Sequence, residues 1–319
     1  AELSIREAIK LNPNLVEAHF NLANIFIDLE KLEEAEKSQR TVIELKPNFA
    51  EAYFNMGKIL KKIGKLEEAE NNYSKAIDIK PSFIHARMHR WRLLFNKGEF
   101  NLALKDADSC NTKESRSCAL ETLYALGRVD EIYERIEKTS SLDDANIRLA
   151  AFASFIAAKE KKWTSNNFCR NPLSFLYFSN LKNHVKSHDN FIQEIISELR
   201  SVKTVWEPET NTAHNGFHTP ANINLFSNSF HKFSTLKSII VNEINQYYSK
   251  FEHENCSFIK RWPSNNNFSA WHVILKKQGY QEAHIHSNGW LSGVIYLKVV
   301  PPLDNDEGAI EFSLNGVNY

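Results

Sequence analysis

The segments AELSIREAIKLNP (residues 1–13), AEKSQRTVIELKP (35–47) and AENNYSKAIDIKP (69–81) are near copies, and Pro13, Pro47 and Pro81 recur every 34 residues. A fixed period of this length marks supersecondary units that bury their apolar faces only by stacking on neighbours. Small residues stand where the two helices of a hairpin must approach closely: Ala18, Ala35, Ala52, Gly57, Ala69, Ala76, Ala86 and Ala103. Large residues fill the complementary places, at Leu22, Phe26, Tyr53, Leu60, Tyr73 and Leu94. Gly64 and Gly98 fall between paired helices, where a residue tolerant of positive φ ends the first one.

Period, proline and small-residue positions together are those of tetratricopeptide (TPR) hairpins. Residues 1–110 are therefore expected to form a TPR α-solenoid. Its first repeat is expected to be cut, since Ala1 aligns with the start of a second helix and no initiator Met precedes it. Beyond Cys110 the pattern decays: 119–136 still reads as a hairpin turning at Gly127, and 145–161 as one more amphipathic helix. Residues 111–168 are expected to be degenerate helical repeats capping the solenoid, with the domain boundary in the polar cluster 163–171 before Pro172. Asn21 and Asn55 lie one period apart, and their expected place is the concave face. They resemble the asparagine ladder with which some TPR proteins hold peptide backbones, a side-chain amide being able to donate and accept at once. His89 interrupts the ladder in the third repeat. A peptide or protein on this face is the expected partner.

A chain of 319 residues holds two ordinary domains, and 42% hydrophobic with 12% aromatic residues suffices to build their cores. Lys plus Arg and Asp plus Glu number 39 each, so no bulk field draws the chain to nucleic acid or to an anionic membrane. No apolar run reaches the ~20 residues of a membrane span. Cys110, Cys118, Cys169 and Cys256 form no C-x-x-C pair, which suggests reduced thiols and a cytoplasmic location.

After Asn171 the texture changes. Residues 173–178 read as a strand, 190–203 and 230–251 as helices, and 269–276, 281–286, 291–300 and 309–314 as four strands separated by turn residues. The stretch WHVILKKQGYQEAHIHSNGWLSGVIYL (271–297) places His284 and His286 two residues apart in an alternating segment. On a strand both would project from one face, opposite Ile285, and two imidazoles on one side can share an ion at bond lengths of about 2.0–2.2 Å.

Residues 290–297, together with Val205-Trp206-Glu207-Pro208, Gly216-Phe217-His218-Thr219 and Asn224-Leu225-Phe226 upstream, resemble the 2-oxoglutarate/Fe(II)-dependent oxygenases of the double-stranded β-helix type. The resemblance spans about 171–319, with 169–319 as the expected domain. It implies a multidomain α and α+β chain, in which the solenoid precedes a partial jelly-roll with flanking helices. It implies Fe(II) on His284 and His286, and 2-oxoglutarate as co-substrate near Tyr296, with Ser292 and Trp290 as further pocket residues. The protein's own part would be positioning and exclusion of water, with no separate catalytic side chain assigned. The implied activity is a dioxygenase that hydroxylates a C–H bond, on a peptide or protein side chain recruited by the solenoid, with succinate and CO2 as co-products.

This sequence departs from the family's pattern in one respect. The family's distal histidine and its 2-oxoglutarate-binding basic residue follow the first ligand pair, whereas 287–319 hold neither histidine nor arginine. The chain is thus expected to stop inside the β-helix, to hold iron weakly and to turn over no 2-oxoglutarate as it stands. Glu311 is a conceivable carboxylate ligand. His214, His218 and His272 lie near the motifs; His218 and His272 are expected to be structural, and His19, His85 and His89 to be helix-surface residues. The alternatives are a non-catalytic TPR scaffold with a degenerate barrel, and a cupin-like metalloprotein.

Overall fold

The computed structural model describes residues 1–208, 212–220, 222–227, 231–265, 267–282, 284, 286, 289–299 and 310. It divides into two compact units, Ala1–Arg135 and Ile136–Tyr319.

The first unit is a helical solenoid. Helices α2 (Val16–Asp28) and α3 (Leu32–Leu45), α4 (Ala50–Ile63) and α5 (Leu66–Ile79), and α6 (Ile84–Asn96) and α7 (Phe100–Cys110) form successive pairs, and α1 (Glu2–Leu11) packs on α2. Helix α8 (Lys113–Ala125) continues the array on α7, and Gly127 (φ 71°) lies at the turn to α9 (Val129–Thr139), within which the division between the units falls.

The expected crossing residues Ala35, Ala52, Ala69, Ala76, Ala86 and Ala103 are fully buried. Gly57 has a more demanding reason to be glycine: a Cβ there would lie 2.5 Å from the ring of Tyr73, itself fully buried. At Gly64 (φ 89°) and Gly98 (φ 79°) the next residue's N–H donates back to Leu60 and Leu94 respectively, each at 2.9 Å. These bonds satisfy carbonyls that the helix end leaves without an intrahelical partner. Glu30, one period before Gly64, takes the same left-handed turn (φ 58°), and Lys31 N–H donates to Phe26 at 2.9 Å. Between α6 and α7, the fully buried Asp106 accepts a bidentate pair of bonds from Arg90 at 2.6 and 2.7 Å and a third from Arg87 at 3.2 Å.

The second unit begins earlier than the polar cluster 163–171. Ala150 of α10 (Ile147–Lys159) packs in one core with Phe168, Cys169, Tyr247, Phe251, Phe258 and Ile259, so α10 is a core helix of this unit rather than the last of a cap. The strand expected over 173–178 is instead a 3-10 turn, Pro172–Phe175: Pro172 has the φ of a helix start, and Ser174 N–H closes on the Asn171 carbonyl at 3.1 Å.

Helix α11 (His188–Arg200) sets Phe191, Ile195 and Leu199 against Phe233, Leu236 and Ile239 of α12 (His231–Phe251). The far end of α12, Tyr247 and Phe251, belongs to the first core, beside α13 (Ser257–Lys260). One long helix therefore serves two cores.

Three strands form one antiparallel sheet in the order β1 (Val205–Trp206), β2 (Ala213–His218), β3 (Val273–Gln281). Here the sequence reading needs correction. The strand expected over 269–276 begins at Val273, the one expected over 281–286 ends at Gln281, and 291–299 form no strand. The last expected strand, 309–314, lies outside the described residues except Ile310, which is in none. Extended backbone becomes a strand only when a neighbour takes its N–H and C=O groups; past β3, Glu282 N–H still donates to Thr212 O at 2.9 Å, and among the described residues 284–299 belong to no ladder. Conversely, β1 and β2 arise from segments quoted above only as motifs.

Candidate functional site

The segment leading to His284 is held by side chains from the upstream motifs. Thr219, fully buried, accepts the His272 backbone N–H on Oγ1 at 3.0 Å, and the same hydroxyl meets His272 Nδ1 at 2.8 Å. Asn224 bridges the approach to β3: its amide donates to Phe268 O at 2.7 Å and accepts from Ala270 N–H at 3.1 Å. At the other end of β3, His214 stacks on Tyr280 with centroids 4.9 Å apart and bonds Glu282 through Nε2 at 2.8 Å. Register runs from His218↔Val273 to Ala213↔Gln281, with an irregularity between His214 and Gly216. Gly279 falls at this bulge, where a Cβ would come 2.7 Å from Asn215 O. The three histidines near the motifs are thus parts of the scaffold: His214 and His272 as described, His218 stacked on Trp271 at 6.3 Å.

Two residues beyond this anchored end, the rings of His284 and His286 converge. Their Nε2 atoms are 3.2 Å apart and their centroids 4.9 Å, although the pair lies outside any ladder. His284 Nδ1 is 2.7 Å from the Glu282 carbonyl. A carbonyl only accepts, so Nδ1 carries a proton there, and the tautomer that this bond selects has its lone pair at Nε2. That is the arrangement by which an outer hydrogen bond fixes the tautomer of a metal-binding histidine. The pKa of His286 is lowered, first by burial and then by the neighbouring His284 ring, which favours its neutral form. Trp271 shields it with centroids 5.3 Å apart. A separation of 3.2 Å lets both Nε2 atoms sit about 2.1 Å from one point, so the pair fits a shared first-row ion as two neighbouring ligands. Among the described residues no group of three or more His, Cys, Asp or Glu side chains converges on such a point. Ile285 and Glu311 lie outside the described residues.

The three residues assigned to the co-substrate differ in setting. Ser292 and Tyr296 are exposed. Trp290 is a core anchor: its indole N–H donates to Phe258 O at 3.2 Å, and its ring stacks over Phe258 and meets Phe168 edge-on. Packing thus engages both the polar atom and the faces that the expected pocket role would use.

In the first unit, Asn21 is exposed as expected but Asn55 is not. Asn55 is buried, and its Nδ2 donates to Asn24 Oδ1 at 2.8 Å, so α4 hydrogen-bonds α2 there rather than offering a whole amide to a ligand. His89, expected on the surface, is half-buried: it meets Phe54 edge-on at 5.1 Å and bonds the Tyr73 hydroxyl through Nδ1 at 3.3 Å. No feature of the sequence marked Asn24 as Asn55's partner, because the spacing of 31 falls outside the repeat.

Residues 50–83 match a tetratricopeptide-repeat family, and 23–64 and 5–37 match two further TPR families. Residues 269–315 match the family described as "Putative 2OG-Fe(II) oxygenase". Among solved structures, the chain is similar to YrrB, "a TPR protein with an unusual peptide-binding site", at 20% identity over 52% of this chain and 88% of that one, with a TM-score of 0.44. It is similar to MamA 41-end from Desulfovibrio magneticus RS-1 at 16% identity over 46% and 85% (TM-score 0.41). It is also similar to TTC0263, a thermophilic TPR protein of Thermus thermophilus, at 20% over 49% and 89% (TM-score 0.37). Comparison with curated proteins gives no significant match. The TPR matches lie within residues 5–83, and the match to the putative oxygenase family contains all of β3 and both converging histidines.

Proposed function

We propose that the protein is a 2-oxoglutarate- and Fe(II)-dependent dioxygenase that hydroxylates a peptide or protein side chain brought to it by the TPR unit. The observation that carries this reading is the His284–His286 pair, with its 3.2 Å separation and carbonyl-fixed tautomer, inside the stretch that matches the oxygenase family. Fe(II) bound there with 2-oxoglutarate and O2 supplies the oxidation of a C–H bond, giving hydroxylated product, succinate and CO2. In this reading His284 and His286 hold the ion, Thr219, Asn224 and His214 fix the strand that delivers them, and Trp271 covers His286. Tyr296 and Ser292 are the residues proposed toward 2-oxoglutarate, and Asn21 toward a peptide backbone. No helix among the described residues is long and apolar enough to cross a membrane. A cytoplasmic setting fits the four free cysteines, three of them buried.

Two measurements test the proposal. Co(II) titration followed by absorption should show binding that weakens by about tenfold or more in His284→Ala and in His286→Ala. Succinate formation by the full-length protein with Fe(II), ascorbate and 2-oxoglutarate should disappear in His284→Ala. Activity that survives this substitution refutes the ligand assignment. Absence of 2-oxoglutarate binding by the full-length protein moves the reading to a non-catalytic TPR scaffold.

A further inference from the structure

The chain carries four free thiols, and two of them, in the second unit, are neighbours. Cys169 follows Phe168 in that unit's first core, and Cys256, the N-cap residue of α13, packs against the same core. Backbone hydrogen bonds set the two segments side by side: Ser257 N–H donates to Asn167 O at 3.0 Å, and Phe258 N–H donates to Phe168 O at 2.9 Å. Each cysteine is thus one residue from a member of this pairing. The sulfurs also act on one another. Burial first, and then the charge of Cys256, push the Cys169 thiol up to about 12, and Tyr247, in the same core, is raised by burial and then by both cysteines.

The two thiols differ in access. Cys169 is buried and Cys256 is half-buried, so a solute in water reaches Cys256 first. Their place in the core also ties them to the chain that leaves the candidate metal site. Phe168 precedes Cys169, and Phe258 lies two residues after Cys256. These are the two rings that hold Trp290, the first edge-on and the second by stacking, and Trp290 stands four residues beyond His286. A bridge between the cysteines would close a long loop containing α11, β1, β2 and α12, which restricts the unfolded chain more than the folded one.

We propose that Cys169 and Cys256 form an oxidative modification site, reduced at rest and joined as a disulfide by hydrogen peroxide. The Cys256 thiolate attacks one peroxide oxygen and the O–O bond breaks, which gives the Cys256 sulfenic acid and a hydroxide that takes up a proton to become water. The Cys169 sulfur, giving up its proton, then attacks the Cys256 sulfur and displaces the sulfenic oxygen, which leaves as a second water. Two thiols and one peroxide become one disulfide and two waters; the sulfurs are oxidised and the peroxide is reduced. A protonated, buried Cys169 makes the second step the slow one, and it quickens as pH rises. This chemistry is independent of the oxygenase reading, since it needs only peroxide and the two thiols.

The test is hydrogen peroxide treatment of the folded chain, then unfolding with alkylation of the remaining thiols, tryptic digestion without reductant, and mass spectrometry. Peptides 163–170 and 251–260 should appear joined, lighter than their sum by two hydrogen atoms, and should separate on reduction. Cys110 and Cys118, buried in the first unit, should appear as alkylated thiols. Cys256→Ser should abolish the link and leave Cys169 a thiol, whereas Cys169→Ser should leave a Cys256 sulfenic acid that dimedone traps. Oxidised wild type should unfold at a higher urea midpoint than reduced, a shift that Cys256→Ser lacks. Far-UV circular dichroism reports whether each variant is folded, and the wild-type digest decides without any variant. The proposal is overturned if peroxide leaves both thiols unchanged, or if the link joins two copies of the chain. Conversion of Cys256 to its sulfinic acid beside an unreacted Cys169 also overturns it, because the two sulfurs then do not reach each other.

Discussion

The two units of this chain are specified by different kinds of information. In Ala1–Arg135 each structural requirement is stated several times over: a small residue at each helix crossing, a turn at the same place in each pair, a proline every 34 residues. In Ile136–Tyr319 each requirement is stated once, and its partner lies far away in sequence, as Ala213 lies from Gln281 and Thr219 from His272. Repetition lets local patterns speak for the fold. Without it, a pattern such as alternation says what a segment could become, and the partner decides whether it does. Three substitutions probe this difference, beginning with the largest effect.

Asp106→Ala attacks the solenoid where its repetition fails, because no other pair carries a buried carboxylate between two arginines at this place. Removing one partner of a buried ion pair leaves uncompensated charge and costs about 3–5 kcal/mol. Arg90, the principal partner, is partly exposed, so the lower end is expected. Urea unfolding followed by circular dichroism should show that loss. A change within ~0.5 kcal/mol would mean that solvent reaches the arginines freely and that packing alone holds α6 to α7.

How much was legible follows the same division. The helix pairs, their turns at Gly64, Gly98 and Gly127, and the fit of Gly57 to Tyr73 could be read because each rests on contacts within or between neighbouring repeats. Asn55 was misjudged because the repeat fixes which helix face a residue occupies but not whether a neighbour such as Asn24 covers it. In the second unit α12 was legible, since its apolar spacing is local. The strands were not: β2 carries Gly216, Asn215 and two histidines, a composition poor in strand formers, and it is a strand because β1 and β3 flank it. For the candidate site, the spacing of His284 and His286 identified the pair. That they converge outside a ladder, with Glu282 fixing the tautomer, required coordinates.

Thr219→Val tests the second unit's single statements. It preserves shape but removes the hydroxyl that accepts the His272 backbone N–H and meets His272 Nδ1. Leaving these buried groups without partners costs about 1–3 kcal/mol. Hydrogen exchange should quicken at 213–218 and 273–281, while α2 to α7 keep their protection, and Co(II) affinity at His284 and His286 should fall with it. Unchanged exchange in the sheet would show that the β2–β3 pairing alone fixes the segment and that the Thr219 clasp is dispensable.

The smallest effect is expected where a repeated statement was written with the wrong residue. Glu30 holds φ at 58° in the turn that Gly64 and Gly98 occupy one and two periods later. A side chain in the left-handed region costs about 1–2 kcal/mol, whereas glycine there is unstrained and gives back about 0.5–1 kcal/mol through its more flexible unfolded chain. Glu30→Gly should therefore stabilise the solenoid by about 0.5–1 kcal/mol, read as a raised urea midpoint at unchanged slope. The one visible cost is the long contact of Glu30 with Lys62, 4.0 Å and well exposed, and pairs of that kind contribute about 0–1 kcal/mol. If the midpoint falls instead, the backbone at Glu30 is not under the strain that its φ implies, and the equivalence of the three turns, from which the repeat was read, does not extend to the first.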